Sequence, residues 1–362
     1  MPMSDTDVAL AALGWALRSL PIPAGPALWL GARPGLSLPP GLRVNALQDF
    51  APWCAALGRE GVDCLPAATD TGLHAAALPP AQGLVLLSPA RQREAARAEA
   101  ARALAALADD GLLLASVAND AGARAFEADL RLLCPTLEVH SKHKCRVLLA
   151  RAVDRDQARI DAWRDLDAAR PLDPGGLLST PLLGAPGLFA VDRIDAGSAL
   201  LIEHLPATLA GAVADLGSGL GVLSAAALER CAGITALDLF DASARAVALS
   251  RHTLRDARVP VRVHWQDVTV GVDGRYDVIL CNPPFHEGGR GLPAIGQAFL
   301  RAAADALRSG GEAWIVANAH LPYEAVLAER FGRVDRLAAA RGFKLLRAAS
   351  PRAQGLNAGR AG

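Results

Sequence analysis

Short apolar runs of strand length alternate with alanine-, leucine- and arginine-rich stretches of helical period along most of the chain. That pattern predicts α/β layering around largely parallel sheets. Residues 83–89 (G-L-V-L-L-S-P) form an apolar run ending in a loop. A helix is predicted over 92–108, with Glu94, Arg97, Glu99 and Arg102 on its solvated side. Asp109-Asp110-Gly111 then turns into the apolar run 112–118, which ends at Asn119. The same order returns further on: D-V-I-L-C-N-P at 277–283, a helix through Phe299, Ala303 and Leu307, the turn Ser309-Gly310-Gly311, and A-W-I-V-A-N ending at Asn318. A third match sets Lys144 and its K-C-R-V-L-L over Gly342 and G-F-K-L-L-R. Recurrence in this order predicts a duplicated Rossmann-like unit.

The two copies differ where chemistry is expected. In the second, the strand 212–216 (A-V-A-D-L) opens onto Gly217-Ser218-Gly219-Leu220-Gly221, whereas the first has Ala27-Leu28-Trp29-Leu30-Gly31 and no glycine cluster. Glycines let a chain turn sharply from strand to helix and approach a ligand closely. Asp215 stands at the end of that strand. The next predicted strand, 234–240, ends in Asp241, the place for a carboxylate that accepts ribose hydroxyls. Asp238 on the same strand competes for that role. A further strand, 261–265, ends near Asp267, positioned to accept from an adenine amino group.

Length and composition bound the rest. The 362 residues exceed what one core usually serves, so two domains are expected. Pro171, Pro174-Gly175-Gly176, Pro181 and Gly184-Ala185-Pro186 place a linker at 161–186, between a domain at 1–160 and another at 187–362. With 52% hydrophobic and 20% charged residues the chain is globular, and its formal net charge of +0 excludes a global basic field. The 6 cysteines show no metal-ligand spacing, so no metal is expected. No apolar run approaches bilayer-spanning length and the N-terminus is a poor signal peptide, which predicts a cytoplasmic protein with no membrane partner.

The fourth strand of the second copy, 278–281, delivers Asn282-Pro283-Pro284-Phe285 into the same crevice. The NH2 of a base or amide is a poor nucleophile because its lone pair is delocalised. An Asn oxygen and a backbone carbonyl hold its two N–H bonds and aim the nitrogen at an electrophile. The two prolines stiffen the loop, and Phe285 offers a face on which a planar base stacks. Cys281, next to this loop, is assigned to strand packing.

The glycine loop with its acids resembles the class I S-adenosylmethionine-dependent methyltransferases. The longer string N-P-P-F-H-E-G at 282–288, with V-A-N-A-H-L-P-Y at 316–323, is similar to the RsmC/RlmG family of bacterial ribosomal RNA guanine-N2 methyltransferases. The resemblance extends over Gly187-Leu188-Phe189, Asp195-Ala196-Gly197-Ser198, Asp241-Ala242-Ser243 and Arg341-Gly342-Phe343-Lys344, and departs at Ser218 and His320. It implies two tandem methyltransferase-like domains, the N-terminal one degenerate. It also implies methyl transfer to the N2 amino group of one guanine, in ribosomal RNA of the small subunit rather than the large. Asn282, Pro283, Pro284 and Phe285 would then face the base, with Asp215, Gly217, Ser218, Gly219, Gly221, Asp241, Asp267 and Asn282 around the cofactor. Lys142, Lys144 and Arg146 in the first copy, and Arg341, Lys344 and Arg347 in a basic stretch from Arg330 to Gly362, are candidates for RNA phosphates. The oligomeric state is not legible. Enzymes that methylate a glutamine amide or adenine N6 share the Asn-Pro-Pro-aromatic loop. A non-catalytic RNA-binding assembly factor is the alternative from a different class, and calorimetry with S-adenosylmethionine separates it from an enzyme.

Overall fold

A computed structural model of the chain describes residues 7–23, 25–65, 78–189, 192–284, 286–287, 290–291 and 293–352. The chain divides into two compact units, Met1–Ala169 with Ala185–Leu188, and Arg170–Gly184 with Phe189–Gly362.

The first unit carries one seven-stranded sheet: β1 (Pro26–Leu30), β2 (Arg43–Leu47), β3 (Asp63–Cys64), β4 (Gln82–Leu87), β5 (Leu107–Ala118), β6 (Leu137–Lys142) and β7 (Cys145–Arg151). Its order is β3-β2-β1-β4-β5-β7-β6, parallel through β5 and antiparallel at β7 and β6. Both faces are covered, which is why β1 and β4 read as nearly unbroken apolar runs. Ala27, Trp29, Leu84 and Leu86 join a core with the helix Val8–Ser19, while Leu28, Leu30, Val85 and Leu87 join another with the helices Arg93–Ala105 and Ala123–Leu133.

The second unit opens with a hairpin, β8 (Arg170–Leu172) and β9 (Leu182–Gly184). The stretch expected to be a plain linker is therefore structured. The helix Gln157–Trp163 enters it from the first unit, and its glycines 175 and 176, both at positive φ, lie between the paired strands. The second sheet contains β10 (Ala210–Leu216), β11 (Gly233–Asp241), β12 (Val261–Trp265), β13 (Tyr276–Cys281), β16 (Leu307–Asn318), β17 (Phe331–Ala340) and β18 (Phe343–Pro351). The short pair β14 (His286–Glu287) and β15 (Arg290–Gly291) stands apart from it. The order β12-β11-β10-β13-β16-β18-β17 repeats that of the first unit strand for strand.

The likeness reaches the irregularities. In the first sheet Gln82 pairs with Leu107 and Leu84 with Leu112, so β5 bulges at the predicted Asp109-Asp110-Gly111 turn. In the second, Tyr276 pairs with Leu307 and Val278 with Glu312, and β16 bulges at Ser309-Gly310-Gly311. Each final hairpin is closed by two residues at positive φ, His143-Lys144 and Arg341-Gly342, the turn whose twist suits a two-residue hairpin. Asn318 pairs with Phe343 as Ala118 pairs with Cys145, so Ala118, rather than Asn119, is the counterpart of Asn318 in the first copy. In both sheets the strand order reverses beside the central strand, β1 or β10, and ligands of such folds bind at the carboxyl ends there. Among the described residues no helix is long and apolar enough to cross a membrane.

Candidate active site

β10 ends under the glycine loop. Gly217 and Ser218 donate their backbone N–H groups to the Phe240 carbonyl at 2.9 and 3.1 Å, and Gly221 donates to Ser218 O at 2.8 Å. Gly217, Gly219 and Gly221 all have left-handed φ, of 74°, 53° and 78°. A Cβ on Gly217 would meet Phe299 at 3.1 Å, whereas one on Gly219 would meet nothing within 4 Å, so the loop has a packed side and an open one. Asp215 is fully buried. Ser224 Oγ donates to its Oδ2 at 2.7 Å, but Oδ1 has no partner among the described residues. Burial pushes this carboxyl up to about 7 against the Ser224 hydrogen bond. Ser218 Oγ is also buried without a partner among the described residues. Buried polar atoms of a native fold are nearly always satisfied, and here the end of β10 and the loop after it each leave one oxygen unpaired among the described residues.

Asp241 faces that loop. Its Oδ2 accepts from Gly219 N and its Oδ1 from Ser243 N, both at 2.8 Å. Its rival Asp238 is buried and engaged by Arg262 through two hydrogen bonds of 2.6 and 2.7 Å and by the Tyr276 hydroxyl at 2.8 Å. Burial alone raises the Asp238 pKa, but Arg262 and Tyr276 hold it below the usual carboxylate range. Asp238 is thus a sheet ion pair, and Asp241 is the acid offered to the crevice. Asp267 starts the short turn Val268–Val270, where Oδ1 accepts from Thr269 N at 2.8 Å and Thr269 Oγ1 at 2.7 Å.

Across the switch point, β13 delivers Asn282, whose carbonyl oxygen lies 3.9 Å from where a Cβ on Gly217 would stand. Its Nδ2 donates to Asp195 Oδ1 at 3.2 Å and Ser198 Oγ at 3.0 Å. Asp195 caps the helix Ala196–His204 as well, accepting from Gly197 N and Ser198 N at 3.0 Å each. A carboxylate accepts and never donates, so the amide nitrogen must face Asp195, and Asn282 Oδ1 is turned the other way. Asp195 and Ser198 are the partners that motif reading left without a role. Pro283 is buried and Pro284 exposed, while Phe285 lies outside the described residues. Cys281 is buried, and its thiol is pushed well above its ordinary range by burial and by Asp215, which fits packing rather than nucleophilic work.

The first unit shows why its copy of the crevice is degenerate. Leu30 pairs with Leu47 and Leu87 as Leu216 pairs with Phe240 and Cys281. Trp29 therefore takes the place of Asp215, Gln48 of Asp241 and Ser88 of Asn282. The Trp29 indole donates to Ser88 Oγ at 3.1 Å, and the buried Gln48 amide donates to Ala32 O at 2.5 Å. A Cβ on Gly31 would stand 2.3 Å from Ser88 O. Side chains and backbone fill the strand tips that the second unit keeps open.

The basic candidates divide. Lys344 is buried, donating to Leu321 O at 2.6 Å and to both Glu324 oxygens at 2.7 and 2.8 Å, so its place as a phosphate contact is withdrawn. Arg330 is buried against Asp305, and Arg347 pairs with Glu312 at 2.6 Å and lies over Trp314. The basic stretch is largely consumed by internal ion pairs that a charge count does not reveal; Arg360 lies outside the described residues. Arg341 is exposed and pairs with Glu203 at 2.9 Å. In the first unit Lys142 lies 5.6 Å over Trp15, Lys144 is exposed at the hairpin tip, and Arg146 contacts Glu127.

Comparison with known proteins agrees with this geometry. Residues 179–347, nearly all of the second unit, match the family model "Methyltransferase small domain". This part of the chain is similar to methyltransferase small domains. Relatives include the ribosomal RNA small subunit methyltransferase C of Salmonella paratyphi B, 38% identical over 229 residues, and that of Salmonella typhi, also 38% identical over 229 residues. In each case the match covers 63% of this chain and 64% of the relative, so it spans less than two thirds of their length. Among solved structures, the T. thermophilus 16S rRNA N2 G1207 methyltransferase (RsmC), in complex with AdoMet and guanosine, superposes with a TM-score of 0.77 at 25% identity. That match covers 94% of this chain and 92% of that one. The two units have the class I α/β methyltransferase fold in tandem.

Proposed function

We propose that the chain transfers a methyl group from S-adenosylmethionine to the exocyclic N2 of a guanine in 16S ribosomal RNA, acting in the cytoplasm on that RNA or on the small ribosomal subunit. The observation that carries this reading is the Asn282 amide, fixed nitrogen-inward by Asp195 and Ser198 beside the open side of the glycine loop. The residues present fit the cofactor. Asp215 Oδ1 and Ser218 Oγ are buried polar atoms in need of a partner, Gly219 leaves open space, and Asp241 stands at the strand end suited to ribose hydroxyls. When bound, S-adenosylmethionine supplies an electrophilic methyl on a sulfonium.

The chain's own part is alignment. Asn282 Oδ1 accepts one N–H of the guanine amino group and the Pro283 carbonyl the other. Neither proline has a backbone N–H, so this stretch of loop presents acceptors only. Two acceptors draw the nitrogen lone pair out of conjugation and face the positive charge that grows on it during transfer. The small-subunit relatives favour 16S RNA over the glutamine-amide and adenine alternatives.

The test uses tritiated cofactor with separate small- and large-subunit particles, followed by nucleoside mapping of the labelled RNA. Label in N2-methylguanine of the small-subunit RNA is expected, and label elsewhere refutes the assignment. Asn282→Ala should abolish transfer while cofactor affinity, read by calorimetry, stays within about threefold of wild type, because the change removes one acceptor, Oδ1, that serves the base.

A further inference from the structure

A chain of no net charge needs a local arrangement to hold a polyanion, and the two copies differ at one matched position. β7 sets Arg146 opposite Val117 as β18 sets Lys344 opposite Ala317. In the second unit that position is closed, with Lys344 buried and saturated by Glu324 and the Leu321 carbonyl. In the first it is open: Arg146 lines a cleft of about 420 Å³ together with Asn119, Arg124 and Ser141.

The charges there do not cancel. Glu127 accepts from both Arg146 and Arg131, so one carboxylate serves two guanidinium groups. Arg124, on the first turn of the helix Ala123–Leu133, is exposed and has no hydrogen-bond or ion-pair partner among the described residues. Asn119 and Ser141 add neutral donors, and the hairpin that carries Ser141 and Arg146 turns at His143-Lys144, beside Lys142. Guanidinium forks match the geometry of phosphate oxygens, and neutral amide and hydroxyl donors complete such sites.

We propose that this cleft in the degenerate unit binds a backbone phosphodiester of the RNA substrate, with Arg124 and Arg146 as its cationic walls. The inference rests on the RNA-substrate reading above. It assigns the first unit a phosphate grip at the ends of β5 and β7, distinct from the cofactor crevice that Trp29, Gln48 and Ser88 fill.

The experiment compares the full-length chain with Arg124→Ala and Arg124→Glu. Both are good residues for the first turn of a helix, and Arg124 is exposed, so folding is not at risk. Filter binding to protein-free 16S RNA is measured from 50 to 300 mM KCl, beside calorimetry with S-adenosylmethionine and methyl transfer at saturating RNA. Arg124→Ala should weaken RNA binding about five- to tenfold at low salt and lower the slope of log affinity against log salt by about 1, with Arg124→Glu weaker still. Cofactor affinity and transfer at saturation should not change. Wild-type RNA affinity and salt slope in both variants would overturn the cleft, yet leave methyl transfer standing provided Asn282→Ala is still inactive. A wild-type protein that binds no protein-free 16S RNA overturns the cleft, and label transfer to small-subunit particles then decides the methyl-transfer reading separately. Inorganic phosphate at millimolar concentration should compete only feebly with RNA, because a single phosphate gains none of the neighbouring contacts. Full competition would make this a small-anion site and overturn the proposal.

Discussion

If Asn282 works by presenting its oxygen, removing the groups that hold its nitrogen should cost turnover without touching the cofactor. Asp195→Gly tests this with least damage, because glycine at a helix N-cap costs only a few tenths of a kcal/mol relative to aspartate. The wild-type amide donates to a charged oxygen at 3.2 Å and to Ser198 Oγ at 3.0 Å. A hydrogen bond to a charged group contributes about 1.5–3 kcal/mol and a neutral one about 1 kcal/mol. Together they keep the reversed amide, which would aim NH2 at NH2, below about 2% of molecules. In the transition state the amino nitrogen must lie in line with the methyl. The restraint lost with the charged acceptor is the roughly 1.5–3 kcal/mol of that bond, so kcat should fall about 10- to 100-fold. Ser198→Ala should lower it about fivefold. Asp195→Asn keeps an acceptor oxygen and the helix cap, so it should recover most of the activity. Steady-state transfer of tritiated methyl gives kcat and KM, and calorimetry gives cofactor affinity. Unchanged kcat in Asp195→Gly would refute the positioning argument. So would equal losses in Asp195→Gly and Asp195→Asn, since the missing acceptor could not then be the cause.

Two further outcomes follow from buried charges. The Asp215 carboxyl, lifted by burial to about 7, binds its proton more tightly folded than unfolded, so stability should fall as pH rises from about 4 through about 7. Asp215→Asn should flatten that dependence and raise the melting temperature of the cofactor-free protein at pH 8; an unchanged pH profile would refute it. At Lys344, Glu324→Ala strands a buried ammonium and should cost about 3 kcal/mol in urea denaturation, more than the roughly 1–2 kcal/mol of Lys344→Met, which removes the charge itself. The reverse order would contradict the ion-pair account.

The α/β layering, the duplication of the unit and the crevice at the strand tips are legible because each rests on local pattern. Apolar runs mark β1, β4, β10 and β13, and glycines mark sharp turns. What was not legible depends on contacts between distant positions. Asp195 and Asn282 are 87 residues apart, and only the packing of the helix Ala196–His204 brings them together. Lys344 reads as one more surface cation until the fold sets it against Glu324, 20 residues away. The filling of the first crevice by Trp29, Gln48 and Ser88 emerges only when strand register aligns the copies residue by residue. Pro and Gly at 171–176 argue against a long helix or a central strand, and the short hairpin found there, with Gly175 and Gly176 in its loop, needs partners that local pattern does not reveal.

The tryptophan lodged in the first copy has a wider meaning for how this molecule is built. A donor cavity must stay hollow, and hollowness weakens the framework around it. Having plugged one such hollow with Trp29, the protein keeps one solid half and one porous half. Doubling the scaffold thus separates firmness from openness, each supplied by one of the two halves.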